Sequence, residues 1–167
     1  IKYFKNDDKI FIQGSAYIKI EEEYFITSKD LVYEKKNFLI FSNNITELKD
    51  LNENKISLNK FNFNTKNKII SGSKVKMLDK ENSEYLFGEF KLDLTKKKFV
   101  GKDLSYEMRG SNLEKPRLKG LSIISNNNVS KIYKGTYTTC AKRKGCSPWI
   151  LHGGETRGSV GGARSAL

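Results

Sequence analysis

Histidine, tryptophan, cysteine and proline are nearly absent from this 167-residue sequence: one His, one Trp, two Cys and two Pro. The shortage restricts metal chemistry, because a structural zinc site takes about four nitrogen or sulfur ligands. Cys140, Cys146 and His152 leave such a set incomplete. Five residues separate the cysteines, whereas a thioredoxin-like pair has two between them. No Gly-x-Ser-x-Gly and no His-Glu-x-x-His pattern occurs, and the acidic residues are scattered, so no nucleophile or metal scheme stands out. The expectation is a chain that is not an enzyme, with no catalytic residue, metal or cofactor.

Long apolar runs are missing too. The longest, Phe38 to Phe41, is far short of the roughly 20 residues that cross a bilayer as a helix. Residues 1–6 have no apolar stretch of signal-peptide type, and the first residue is Ile1. The expectation here is a processed chain or a fragment. Gly and Pro are too sparse for a linker or collagenous body: of 13 glycines, five lie beyond residue 152.

What is abundant is lysine and β-forming side chains. The net charge is +12, which suits an anionic partner such as nucleic acid, phospholipid head groups or phosphorylated glycolipid. The lysines are dispersed among Asn and Ile, and no basic run exceeds three. A dedicated polyanion surface and a plain compositional bias therefore both remain open. Eight Tyr and ten Phe, with many Ile, favour strands over helices.

The order of residues supports this. Ile10, Ile12, Ala16, Ile18 and Ile20 alternate with polar neighbours, and Gly14 inside the run marks a bulge or bend. Glu21 to Glu23 form an acidic turn. Tyr24 and Ile26 follow, then Leu31 and Tyr33 past a bend at Ser28–Asp30. A weak repeat then places Lys-rich turns between strands at residues 34–37, 64–68 and 95–98. Tyr33 to Phe63 is 30 residues and Phe63 to Leu94 is 31, the spacing of stacked β-hairpins that share one apolar surface. Ile56 and Leu58 have opposite parity to Phe61 and Phe63, which requires a bulge near Asn59. Strands are expected at Leu118–Ile124 and Val129–Thr139 after a loop at 110–116, and the one weak helical turn at Thr46–Asn54.

These features specify an all-β domain over residues 1–151, with ten or eleven short strands and little or no helix. The Gly-rich residues 152–167 are expected to be disordered or foreign to it. The apolar faces could form a dry core, or the sheets could gape to leave a trough. The aromatic residues sit at core-like positions of the alternation, which counts against nucleic-acid binding by base stacking.

Thr136-Tyr-Thr-Thr-Cys140, followed by Cys146-Ser-Pro-Trp149, resembles the end of the N-terminal periplasmic (OstA/LptA-like) domain of the LptD family of lipopolysaccharide-assembly proteins. Pro116 to Gly120 resembles the segment preceding it there. The likeness spans roughly residues 8–151 and is specific over 116–151. It implies an open β-jelly roll of stacked antiparallel hairpins, two sheets in a V, at the periplasmic side of the outer membrane of a Gram-negative bacterium. Such a domain receives lipopolysaccharide from an LptA-like bridge by edge-strand pairing, holds its acyl chains in an apolar groove, and passes it to a membrane barrel plugged by LptE. No nucleic acid is implied as partner. Candidate groove residues, each on the apolar side of its strand, are Ile18, Leu31, Tyr33, Leu58, Phe61, Phe63, Val75, Met77, Leu86, Phe90, Leu92 and Ile123. Cys140 matches a cysteine that the family uses in disulfides to the barrel. Cys146 departs from the simplest pattern, so a local Cys140–Cys146 bond and a long-range bond both stay open.

Overall fold

The computed structural model describes residues 2–4, 8–107, 117–126, 129–138, 149–150 and 156–158. Thirteen strands follow one another: β1 (Lys2–Phe4), β2 (Lys9–Ile20), β3 (Tyr24–Glu34), β4 (Leu39–Ser42), β5 (Thr46–Asp50), β6 (Lys55–Asn64), β7 (Ile69–Leu78), β8 (Glu84–Asp93), β9 (Lys98–Glu107), β10 (Arg117–Asn126), β11 (Val129–Thr138), β12 (Trp149–Ile150) and β13 (Thr156–Gly158). There is no helix among the described residues, and strand makes up 77% of the structure. All strands join one sheet that pairs antiparallel throughout, in the order β1-β2-β3-β4-β6-β7-β8-β9-β10-β11-β12. β5 bridges β3 and β6 alongside β4, and β13 pairs with β11. The fold is all-β and jelly-roll-like.

The expected repeat is visible in the turns. Residues 35–38, 65–68 and 94–97 form equivalent four-residue turns. Each ends on a residue in the left-handed region: Phe38 (φ 54°), Lys68 (55°) and Lys97 (46°). Asn64 Oδ1 accepts the Lys66 and Asn67 amides, and Asp93 Oδ1 accepts the Lys96 amide. The opposite ends repeat as well. Asp50 Oδ1 accepts the Asn52 and Asn54 amides, and Asp79 Oδ1 accepts those of Glu81 and Ser83. In both sets a short acceptor organises the turn without an Asn-Gly pair.

A crease crosses the sheet at mid-strand. The β2–β3 register shifts between Ile12 and Ser15, and the β6–β7 register shifts on both sides of Asn59, so the bulges expected at Gly14 and near Asn59 are present. β3 and β6 pair first with one of β4 and β5 and then with the other, changing partner where residues 43–45 intervene. Gly14 (φ 81°), Asp30 (50°), Lys60 (50°), Lys74 (49°), Asp103 (54°) and Lys134 (49°) are all left-handed here. Register sets Lys74 opposite Gly88, and Leu121 opposite both Asp103 and Lys134. A non-glycine residue in this region is disfavoured by roughly 1–2 kcal/mol. Five such residues on one line therefore mark a bend that the surrounding structure enforces. At Asp30 the carboxylate accepts the Gly14 amide at 2.9 Å.

The crease divides the sheet into two arms. The first carries the turns at 35–38, 65–68 and 94–97, and the second carries those at 21–23, 51–54 and 79–82. Their inward faces share one core of 21 buried apolar residues. Phe87 of the second arm packs on Phe90 and Phe99 of the first, with ring centroids 5.6 and 6.1 Å apart.

Three expectations change. Thr46–Asp50 is a strand with Thr46 and Leu48 buried, not a helical turn, because β3 and β6 supply partners on both sides. The bend at Ser28–Asp30 is the crease inside one continuous strand. Within the tail, Thr156–Gly158 pairs with Ser130–Ile132, where no strand was expected. Cys140, Cys146 and the loop at 110–116 lie outside the described residues.

Candidate functional site: the interior face

Antiparallel register converts alternation into rows of side chains that cross the whole sheet. In the first arm the partners run Ile10, Tyr33, Ile40, Phe63, Ile70, Leu92 and Phe99, and the row ends on the serines Ser125 and Ser130. In the second arm they run Ile18, Ile26, Leu48, Ile56, Met77, Tyr85, Tyr106, Leu118 and Tyr137. Two apolar strips thus face each other across the crease.

Of the groove candidates, Leu31, Leu58, Phe61, Phe63, Val75, Met77, Phe90, Leu92 and Ile123 are buried, none above 5% exposure. Ile18 and Tyr33 are half-buried. The structure gathers these eleven on the interior. Leu86 is the exception: it lies on the outer face at 41% exposure, while Phe87 points inward at 3%. Parity was carried back from Phe90 through Gly88, and the crease at Gly88 inverts it. Ile26, Leu48, Ile70, Phe99 and Ile132 also line the interior and were not among the candidates. Leu48 was hidden by the helical reading of its segment.

Among the described residues the interior is packed by the chain's own side chains. Every buried side-chain nitrogen and oxygen among the described residues has a hydrogen-bond partner. Ser28 Oγ and Thr46 Oγ1 lie 2.7 Å apart beside the crease. The Tyr85 and Tyr106 rings pack at a 30° tilt with centroids 4.4 Å apart. Burial, then the neighbouring Tyr106 and Asp79, pushes the Tyr85 hydroxyl far up, and burial also raises Tyr106. Tyr24 is pushed up to about 12 by burial first and then by Glu23, Asp50 and Glu21.

The outer face differs. A concavity of about 500 Å³ crosses β6 to β9, where Lys60, Lys91, Lys102, Asn62, Ser71 and Ser73 surround Val100. Glu89 lies 2.7 Å from Lys102 and holds that ammonium above its ordinary value. Among the described residues no three His, Cys, Asp or Glu side chains converge as a metal site, and no helix is long and apolar enough to cross a membrane. Comparison with protein-family models and with curated proteins gives no match to this chain.

Proposed function

We propose that this chain is a lipid-holding jelly roll that takes lipopolysaccharide from a periplasmic bridge and hands it to an outer-membrane barrel. The observation that supports the reading is the pair of apolar strips facing each other across one crease, in a sheet whose outermost strands, β1 and β12, have no further partner among the described residues. A free edge is a template for strand addition by a neighbouring β domain. Each acyl CH₂ moved from water into such an interior gains roughly 0.8 kcal/mol. Because the interior is packed, acyl chains enter only as the arms part at the crease, and the half-buried positions Ile18 and Tyr33 are the first they meet. A photo-crosslinker at Ile18, Tyr33, Phe63 or Phe90 is expected to capture lipopolysaccharide in cells. Capture only from Lys60 or Lys91 would replace this reading with surface binding.

The lysine-lined outer concavity favours a second reading, a basic β domain that binds a polysaccharide or nucleic acid at its surface. It predicts loss of polyanion binding in Lys60→Ala/Lys91→Ala, with interior substitutions affecting stability alone.

A further inference from the structure

The acidic turn at Glu21–Glu23 closes the second arm, yet its carboxylates reach the first. Glu21 pairs with Lys68, and Glu23 Oε2 lies 3.2 Å from Lys97 Nζ. These contacts join residues 47 and 74 positions apart, so they tie the tips of two successive hairpins to the tip of the opposite arm. Ile20 and Tyr24, which flank the acidic turn, and Leu94, three residues before Lys97, belong to the core. The Leu94 amide donates to the Lys68 carbonyl at 3.0 Å.

The backbone makes these pairings unusual. Lys68 and Lys97 occupy the left-handed position of their turns, and Glu21 (φ 50°) and Glu22 (φ 61°) are left-handed as well. Turn chemistry favours Gly or Asn at such positions. Here charged side chains stand in them instead, on both sides of the contact. The four paired side chains are 41–45% exposed, so water and solutes reach them, and exposed ion pairs are weak and easily exchanged.

We propose that Lys68 and Lys97 form a site for a phosphorylated anion, and that Glu21 and Glu23 occupy it as built-in competitors. An incoming phosphate takes the ammonium groups, releases the acidic turn and frees the two arms at this end of the roll. The inference rests on the lipid-holding reading for the identity of its ligand, the phosphorylated head group of an amphiphile whose chains enter between the arms. The anion site itself is testable without lipid.

The test is a titration of the 167-residue chain with inorganic pyrophosphate, followed by amide chemical shifts at residues 66–69 and 95–98. Glu21→Gln/Glu23→Gln is expected to bind pyrophosphate roughly two- to thirtyfold more tightly than the parent, the range that two exposed ion pairs correspond to. Adding Lys68→Gln/Lys97→Gln is expected to abolish the gain. Equal pyrophosphate affinity in the parent and the Glu→Gln variant would overturn the proposal. Parallel titrations use micelles of a bisphosphorylated lipid A and of its dephosphorylated form. If pyrophosphate behaves as expected but neither micelle binds, the lipid-holding reading fails and the anion site stands. If both micelles bind equally and ignore the glutamates, the reading stands and the competition is excluded.

Discussion

The two arms arise from the same strands, on either side of one crease, yet they fill their interiors differently. The first buries hydrocarbon: Leu31, Phe61, Phe63, Ile70, Phe90, Leu92, Leu94, Phe99, Ile123 and Ile132, with Ser42 at its crease end the arm's one buried polar residue among those described. The second interleaves Ile26, Leu48, Ile56 and Met77 with Tyr24, Ser28, Thr46, Asn54, Ser83 and Tyr106. Dispersion and water exclusion hold the first arm, and their strength follows volume. The second adds hydrogen bonds whose partners must be kept in place. An arm of hydrocarbon can slide against a guest chain at little polar expense, whereas an arm with a fixed hydroxyl network keeps its shape.

The sharpest test of that contrast is a cavity in the first arm. Phe61 is fully buried, and Phe61→Ala is expected to lower unfolding stability by about 3–5 kcal/mol, read from denaturant midpoints. Ser28→Ala in the second arm leaves Thr46 Oγ1 with the Asn44 carbonyl at 3.4 Å and is expected to lower stability by only about 1 kcal/mol. Equal losses would erase the distinction between the arms.

Overpacking where the arms meet comes next. A Cβ on Gly101 would lie 2.4 Å from Phe87 Cδ1 and 3.2 Å from Ile123 Cγ2. Gly101→Ala is expected to lower stability by roughly 1–3 kcal/mol, and Phe87→Leu in the same chain to recover part of it. A neutral Gly101→Ala would mean that the arms are already loose at this contact.

The polar arm also predicts a pH response. Burial pushes the Tyr24 hydroxyl up to about 12 in the folded protein, from about 10 unfolded. A raised folded value means that its stabilising contribution is complete below pH 10 and is lost as pH rises through 12. Unfolding followed from pH 9 to 12 is expected to show falling stability, with a shallower decline in Tyr24→Phe. Identical slopes for the two proteins would show that this hydroxyl does not titrate with folding.

Most of the first arm was legible in the sequence, because strict alternation around three similar turns fixes both strand and face, as for Phe63 and Leu92. The second arm was harder to read. Thr46–Asp50 carries Ile45 and Leu51 beside it, both about 65% exposed, and these blur a five-residue strand into a helical pattern that only its two partners resolve. The crease was partly visible, through Gly14 and the parity change near Asn59. At Lys60, Lys74 and Lys134 it was hidden, since lysine carries no signal for a left-handed backbone. Among the described residues the strips meet as a packed core, through contacts across the crease such as Phe87 on Phe90 and Phe99, which periodicity does not encode.

The smallest effects belong to the outer face of the second arm, where the corrected assignment of Leu86 is decided. Leu86 pairs with Lys76 on one side and Ser105 on the other, and Lys76 Nζ lies 2.7 Å from Glu84. An exposed leucine in such a row contributes little to folding, so Leu86→Ser is expected to shift stability by no more than about 0.5 kcal/mol. Lys76→Ala removes one exposed ion pair and is expected to cost about 0.2–1 kcal/mol, with the difference shrinking at high salt. Leu92→Ser, on the inner face of the same strand beyond the crease, leaves an unpaired hydroxyl in a fully buried site and is expected to be far more damaging. Thermal unfolding of the three variants at low and high salt checks the order. If Leu86→Ser proved as costly as Leu92→Ser, the outer face would have to be covered in the folded protein, and the arms would differ in what covers them as well as in what fills them.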